Sequence, residues 1–171
     1  MTQAQQTERM IDHMQPTDWE AVRAIYLQGI ATAQATFEVD APSWEAWNAS
    51  HLSFGRLVVR EGARVVGWAA LSPVSKRSVY AGVCEVSIYI ANDRRRQRIG
   101  RRLLGALIDE SEQRGIWTLQ ASVFPENVAT LALHERCGFR RVGLRERISK
   151  LNGVWRDTIL LERRSARTGV D

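Results

Sequence analysis

An α+β fold, a mixed and mostly antiparallel sheet with helices on both faces, is what the pattern of this chain predicts. Three observations point to it. Apolar runs of strand length at 57–60, 64–71 and 83–91 follow one another without a helical period between each pair. Helical periodicity then returns at 99–114 and 127–137, separated by a further short apolar run. Asn152-Gly153 lies between two more runs and is a strong two-residue hairpin signal, so the chain closes on an antiparallel pair.

Each element has its own local cause. Thr17-Asp18-Trp19-Glu20 fits a capping box, with Thr17 as N-cap and Glu20 reaching back, and Val22, Ile25, Tyr26 and Ile30 follow at helical spacing. Ser43, just after Pro42, caps a short helix carrying Trp44, Trp47 and Leu52. Residues 57–60 and 64–71 read as paired strands joined at Glu61-Gly62. Strand 83–91 enters a loop rich in arginine, and a helix then carries Leu103, Leu104, Leu107 and Ile108 until Gly115 stops it. Residues 117–123 form the next strand, which Pro125 ends. The helix 127–137 holds Leu131, Leu133 and His134, with Gly138 placed to terminate it. Strands 139–149 and 154–162 complete the order β-α-α-β-β-β-α-β-α-β-β. Residues 1–164 read as one domain, and 165–171 as a polar, disordered C-terminal tail.

The chain has 171 residues, a size suited to one core. Its 44% apolar and 25% charged residues are ordinary for a soluble globular protein. No stretch approaches the ~20 apolar residues of a membrane span, and the start Met1-Thr2-Gln3-Ala4-Gln5-Gln6 lacks the basic end and apolar run of a signal peptide. The expected location is therefore cytoplasmic, with no membrane partner. Cys84 and Cys137 are too few for a disulfide framework and have no metal-ligand spacing. The formal charge of +5 favours acidic ligands, either nucleic acid or a small polyphosphate cofactor. Only Lys76 and Lys150 are lysines among the 24 basic residues, so arginine enrichment is general.

The chemistry concentrates between Glu85 and Leu104. A strand running into a helix N-terminus presents free N–H groups and a positive dipole end, a ready phosphate site. Arg94, Arg95, Arg96 and Arg98 surround it with charge-assisted donors, although an arginine run out of context is most often solvated surface. Glu85, on a half-buried strand, is a candidate general base; the plainer alternative is an ion pair with a nearby arginine. His134 has the intrinsic chemistry of a proton donor, or is a structural histidine. Asn127 sits where a helix cap belongs. Ser75-Lys76-Arg77, with Tyr80, forms a basic loop that could clamp a substrate carboxylate or be an exposed hairpin tip. Phe37 walls a pocket or fills the core. Cys84, beside Glu85, is a buried hydrophobe first and a catalytic thiol second. No GxGxxG, P-loop, HExxH or Cys/His metal grouping is present, so no metal is expected.

At these residues the chain resembles the GCN5-related N-acetyltransferase superfamily, and within it the phosphinothricin and methionine-sulfone acetyltransferases. The resemblance is carried by Ala35-Thr36-Phe37-Glu38, Val66-Gly67-Trp68-Ala69, Glu85-Val86-Ser87-Ile88-Tyr89-Ile90 and the loop from Arg95 to Gly100. Phe124-Pro125-Glu126-Asn127, His134-Glu135-Arg136-Cys137-Gly138-Phe139 and Gly153-Val154-Trp155-Arg156-Asp157 complete the ordered set.

The resemblance implies a GNAT-like acyl-CoA N-acyltransferase fold, acetyl-CoA as donor, a small-molecule amine as acceptor, and a homodimer. It implies that the backbone of Ile88, Tyr89 and Ile90 pairs with the pantetheine arm. It also implies that Arg95, Arg96, Gln97, Arg98, Ile99, Gly100 and Arg101 wrap the pyrophosphate, and that Asn127 contacts the cofactor. Glu85 would deprotonate the amine and His134 would protonate the departing thiolate. Phe37, Ser75, Lys76, Arg77, Val86 and Ser87, with Glu85, would hold the substrate. Two departures stand out: Arg98 occupies the place of the first loop glycine, and Ser75 that of an arginine in many relatives. Two rivals remain. One is acetyl transfer to another amine, a peptide N-terminus or a polyamine. The other is an arginine-rich nucleic-acid-binding domain, disfavoured because no aromatic residue lies between Asp93 and Ile116.

Overall fold

The structure, a computed structural model, describes residues 8–170. In chain order the elements are β1 (Arg9–His13), α1 (Trp19–Ala31), α2 (Trp44–Ser50), β2 (Leu57–Glu61), β3 (Arg64–Pro73), β4 (Val83–Ile90) and α3 (Ile99–Gln113). They continue with β5 (Thr118–Val123), α4 (Val128–Arg136), β6 (Arg140–Leu151) and β7 (Val154–Arg164). The strands form one sheet in the order β1-β2-β3-β4-β5-β7-β6. Every neighbouring pair is antiparallel except β4 and β5. The α+β architecture expected from the sequence is the one observed.

Period-two alternation splits the core into two layers. Val58, Trp68 and Ala70 face α1 and α2, where they pack with Trp19, Val22, Ile25 and Trp47. Leu57, Val59, Ala69 and Leu71 face the opposite side, against Leu103, Leu104 and Leu107 of α3. Because β3 is covered on both faces, it reads as an unbroken apolar run. α1 approaches β4 closely through Gly29, where a Cβ would stand 2.6 Å from the Tyr89 ring. The hairpin turn Asn152-Gly153 has φ of 49° and 81°, the left-handed pair that a two-residue turn demands.

Two expectations are corrected. The capping box at Thr17 and Glu20 does not form. Instead Pro16–Asp18 makes a 3₁₀ turn, and the Gln15 N–H donates to Asp18 Oδ2 at 2.8 Å. Asp18 is recruited by tertiary contact: Arg60 donates to both of its oxygens at 2.8 Å, and that pairing holds its carboxyl below the usual range. The second correction is the C-terminal tail, which is ordered up to its last described residues. Ser165 is buried and donates through Oγ to Glu112 Oε1 at 2.8 Å, and Thr168 Oγ1 donates to the Glu112 carbonyl at 3.0 Å. Arg163 adds a second bond to the carboxylate, donating to Glu112 Oε1 at 2.9 Å. Burial would raise the Glu112 pKa, but Arg163 and Ser165 outweigh it and hold the group below its ordinary value. A polar tail is seated here because a buried carboxylate on α3 needs its donors.

Candidate active site

β4 and β5 run side by side for a few residues and then part. Val83, Cys84 and Glu85 pair with Thr118, Leu119 and Gln120. Beyond them residues 121–123 pair only with β7, while 86–90 stay paired with β3. One edge of 86–90 therefore has no strand against it, and its backbone groups face the gap. The gap opens into a cavity of ≈ 720 Å³. β4 supplies Glu85, Val86, Ser87, Ile88 and Tyr89, and the walls carry Phe37, Phe124, Asn127, His134 and Thr158.

The wall that carries Phe37 is fastened from several directions. Phe37 stands edge-on to Phe124, with centroids 4.9 Å apart. The Arg156 guanidinium lies 4.1 Å from the Phe124 centroid and donates to the Ala33 carbonyl and to Gln34 Oε1, each at 3.0 Å. Asn127 caps α4 by accepting from the Thr130 N–H at 3.2 Å, and its Nδ2 donates to the Gln34 carbonyl at 3.0 Å. The segment carrying Phe37 is thus tied to both β7 and α4.

Glu85 is half-buried, and Gln120 Nε2 donates to its Oε2 at 2.8 Å. Among the described residues it forms no ion pair with an arginine, so its negative charge faces the cavity without a cation on it. His134 is 2% exposed, and its ring stands edge-on to Phe139. Its Nδ1 lies 2.9 Å from the Thr130 carbonyl, which can only accept, so Nδ1 carries the hydrogen. Burial pushes the imidazole below its ordinary pKa, with the Thr130 bond a smaller opposing effect, and the ring is neutral at pH 7. Nε2 then presents a lone pair, and no group among the described residues satisfies it. The Cys84 thiol is buried and pushed up to about 11, so it stays protonated and serves packing.

At the far end of β4 the chain enters the arginine loop. Arg96 and Arg98 adopt φ of 61° and 62°, the left-handed region, and Arg98 is the residue preceding α3. Arg94 is held by Glu61 at 2.8 Å and by Asp93 at 3.0 Å. Arg9 holds Glu61 at 2.6 Å and also binds the Gln97 side chain. Arg95, Arg96, Arg98 and Arg101 are exposed and form no ion pair among the described residues. The loop therefore divides its charge: Arg94 braces it, and the others surround the N-terminus of α3 with unneutralised guanidiniums.

Comparison with known proteins decides what this arrangement belongs to. Residues 19–139 match the family model described as the acetyltransferase (GNAT) family. The chain belongs to the GNAT family. It is 36% identical over 153 residues to a phosphinothricin N-acetyltransferase of Alcaligenes faecalis, covering 85% of this chain and 77% of the relative. A methionine sulfoximine/methionine sulfone acetyltransferase of Pseudomonas aeruginosa is 26% identical, with 85% and 88% covered. Among solved structures, a phosphinothricin acetyltransferase from Sinorhizobium meliloti in complex with AcCoA superposes with a TM-score of 0.85 at 25% identity, covering 95% and 91% of the two chains.

This GNAT protein is an acetyl-CoA-dependent N-acetyltransferase, and its own residues fit that donor. The unpaired edge of 86–90 offers hydrogen bonds to an extended amide chain, and the α3 N-terminus with its unneutralised arginines offers donors to phosphate oxygens. Of the residues expected at the site, Glu85–Tyr89, Phe37, Asn127 and His134 line one cavity. Ile90 and residues 95–101 do not line it; they follow in the chain, at the end of β4 and on into α3. Ser75, Lys76 and Arg77 do not line it; they occupy a loop before β4, and the Arg77 guanidinium lies 5.5 Å from the Tyr80 centroid. The sequence reading missed Gln120, which orients Glu85, and Thr158, which faces the cavity from β7. Nothing local marks Gln120. The signal for Thr158 is a hydroxyl leading the apolar run Ile159-Leu160-Leu161.

Arg98→Gly tests the unusual loop position. Glycine adopts positive φ without the ~1 kcal/mol cost borne by other residues, so urea unfolding is expected to show no loss of stability. Calorimetry is expected to show several-fold weaker acetyl-CoA binding, because one charge-assisted donor is gone. Tighter binding would mean instead that the side chain crowds the site.

Proposed function

We propose that this enzyme transfers acetyl from acetyl-CoA to the primary amine of a small amino-acid-like molecule of the phosphinothricin, methionine sulfone or methionine sulfoximine type. The observation that carries the reading is one cavity shared by an unneutralised carboxylate, Glu85, and an unsatisfied acceptor, His134 Nε2, at the place where β4 parts from β5. Glu85, held by Gln120, takes the proton that keeps the amine from attacking, directly or through a water. Backbone N–H groups on the open edge of 86–90 stabilise the oxyanion that develops at the carbonyl. A neutral His134 has no proton at Nε2 to give at the outset. It accepts the second proton released by nitrogen as the amide forms, and returns that proton to the departing sulfur. Phe37 walls the acceptor, and Asn127 with 88–90 and 95–101 hold the donor.

One observation favours a second acceptor class. Glu38 and Asp40 also line the cavity, which suits a cationic amine such as an aliphatic diamine. We further propose a homodimer, supported by Val142, Leu144, Ile148, Val154 and Trp155, which are exposed on the β6–β7 hairpin at the edge of the sheet. A cytoplasmic location is supported by Cys84 and Cys137, both free thiols. No helix among the described residues is long and apolar enough to cross a membrane.

One preparation tests these points. Its mass in sedimentation should be that of two chains. Acetyl-CoA consumption should be fastest with phosphinothricin or the methionine derivatives, in a panel that includes ordinary amino acids and a diamine. Turnover with none of the amino-acid analogues, despite measurable acetyl-CoA binding, removes the acceptor assignment.

A further inference from the structure

Thr158 lies on β7, is 3% exposed, and its Oγ1 has no hydrogen-bond partner among the described residues. It lines the same cavity as His134, whose Nε2 is also unpartnered. A buried hydroxyl left unpaired is costly, and valine would fill the same volume without that cost. The hydroxyl therefore has a use that the protein alone does not satisfy. The two atoms do not satisfy each other, since neither has a partner within hydrogen-bond distance. What both lack is a group brought in from the cavity.

The position of Thr158 indicates which group. Residues 156 and 158 share one face of β7 by strand alternation. On that face Arg156 covers Phe124 and fastens Ala33 and Gln34, at the start of the segment that carries Phe37. Phe37 in turn rests on Phe124. Thr158 thus belongs to the acceptor-side wall, away from the arginine loop beyond β4. His134 Nε2 accepts only, and a hydroxyl both accepts and donates. A nitrogen bearing two or three hydrogens suits such a pair of acceptors.

We propose that the Thr158 hydroxyl is a direct contact for the acetyl-accepting amine, receiving one of its N–H groups alongside His134. This rests on the acetyl-transfer reading given above. It makes Thr158 an amine-binding residue without a proton-transfer role of its own. The structure implies a conflict between stability and use at this position, because the hydroxyl is unsatisfied until an acceptor is bound.

Thr158→Val and Thr158→Ser separate the possibilities. With the best amine of the panel, Thr158→Val should raise the amine KM and lower kcat/KM for the amine about tenfold, the loss of one hydrogen bond. The KM for acetyl-CoA should be unchanged. In the ligand-free protein, Thr158→Val should melt no lower than wild type; in the kinetic assay Thr158→Ser, which keeps the hydroxyl, should lose less amine kcat/KM than Thr158→Val. A Thr158→Val enzyme with wild-type amine kinetics overturns the assignment and leaves acetyl transfer standing. So does a variant that melts lower and loses donor and acceptor binding together, since the hydroxyl is then structural. A folded wild-type protein that binds acetyl-CoA and acetylates no amine overturns both readings.

Discussion

Glu85→Gln is expected to lower kcat at pH 7 about 10²–10⁴-fold, the range removed with a general base, while leaving acetyl-CoA affinity and the fold in place. The change is isosteric and removes only the charge and the basic lone pair. The Gln120 amide, now 2.8 Å from a carboxylate oxygen, still finds an acceptor in the new side chain's Oε1, so the local packing has no reason to move. Glu85 is half-buried and carries no arginine, so its charge is available to a bound ammonium. The deficit should shrink as pH rises toward the amine's own pKa, because solvent then delivers the nucleophile already deprotonated. Initial rates from pH 6 to 10 provide the measurement. A variant with wild-type rate at pH 7 excludes Glu85 as the base.

His134→Phe should cost about 10²-fold in kcat, at the lower end expected for a lost acid–base group. Phenylalanine keeps the edge-on contact with Phe139 and the buried volume, so stability should change little. The sign of the pH effect follows from burial. The folded imidazole titrates below its ordinary value of 6.5, and the form that accepts a proton is the neutral one. Wild-type activity should therefore keep its His134 contribution down through pH 6.5. That contribution should disappear only at lower pH, as Nε2 becomes protonated. The variant should lack this acidic component altogether. A residual rate equal to wild type, with the same acidic limb, removes His134 from the proton route.

Much of the site is legible along the chain because its parts are local. The open edge of β4, the arginine loop and the α3 N-terminus are contiguous, so strand period, arginine run and helix period can be read in one pass. Asn127 and Ser43 act as caps through bonds to residues three positions on, and such bonds leave a sequence signature. Thr17 carries the same signature and does not cap. There Arg60, 42 positions away, engages Asp18 and reshapes the turn before α1. Gln120 belongs to a strand whose local pattern says nothing of the cavity, and the hydroxyl heading Ile159-Leu160-Leu161 marks Thr158 without saying what it faces. Their roles come from pairing with Glu85 and from the face shared with Arg156.

Hydrophobic period, turn chemistry and charge by themselves determined the element order and the α+β class, and made the Arg95–Gly100 loop a candidate anion site, because each is set by interactions within a few residues. Only the tertiary structure decided which atoms face the cavity in a usable state. It tied Arg94 to Glu61 and, among the described residues, left Arg95, Arg96 and Arg98 without an ion pair, kept the 75–77 loop out of the cavity wall, and seated the tail on Glu112. It also fixed the hydrogen of His134 on Nδ1 by placing the ring against the Thr130 carbonyl in a buried site. The physical reason is that protonation and hydrogen-bond satisfaction depend on burial and on partners distant in sequence, which no local pattern encodes.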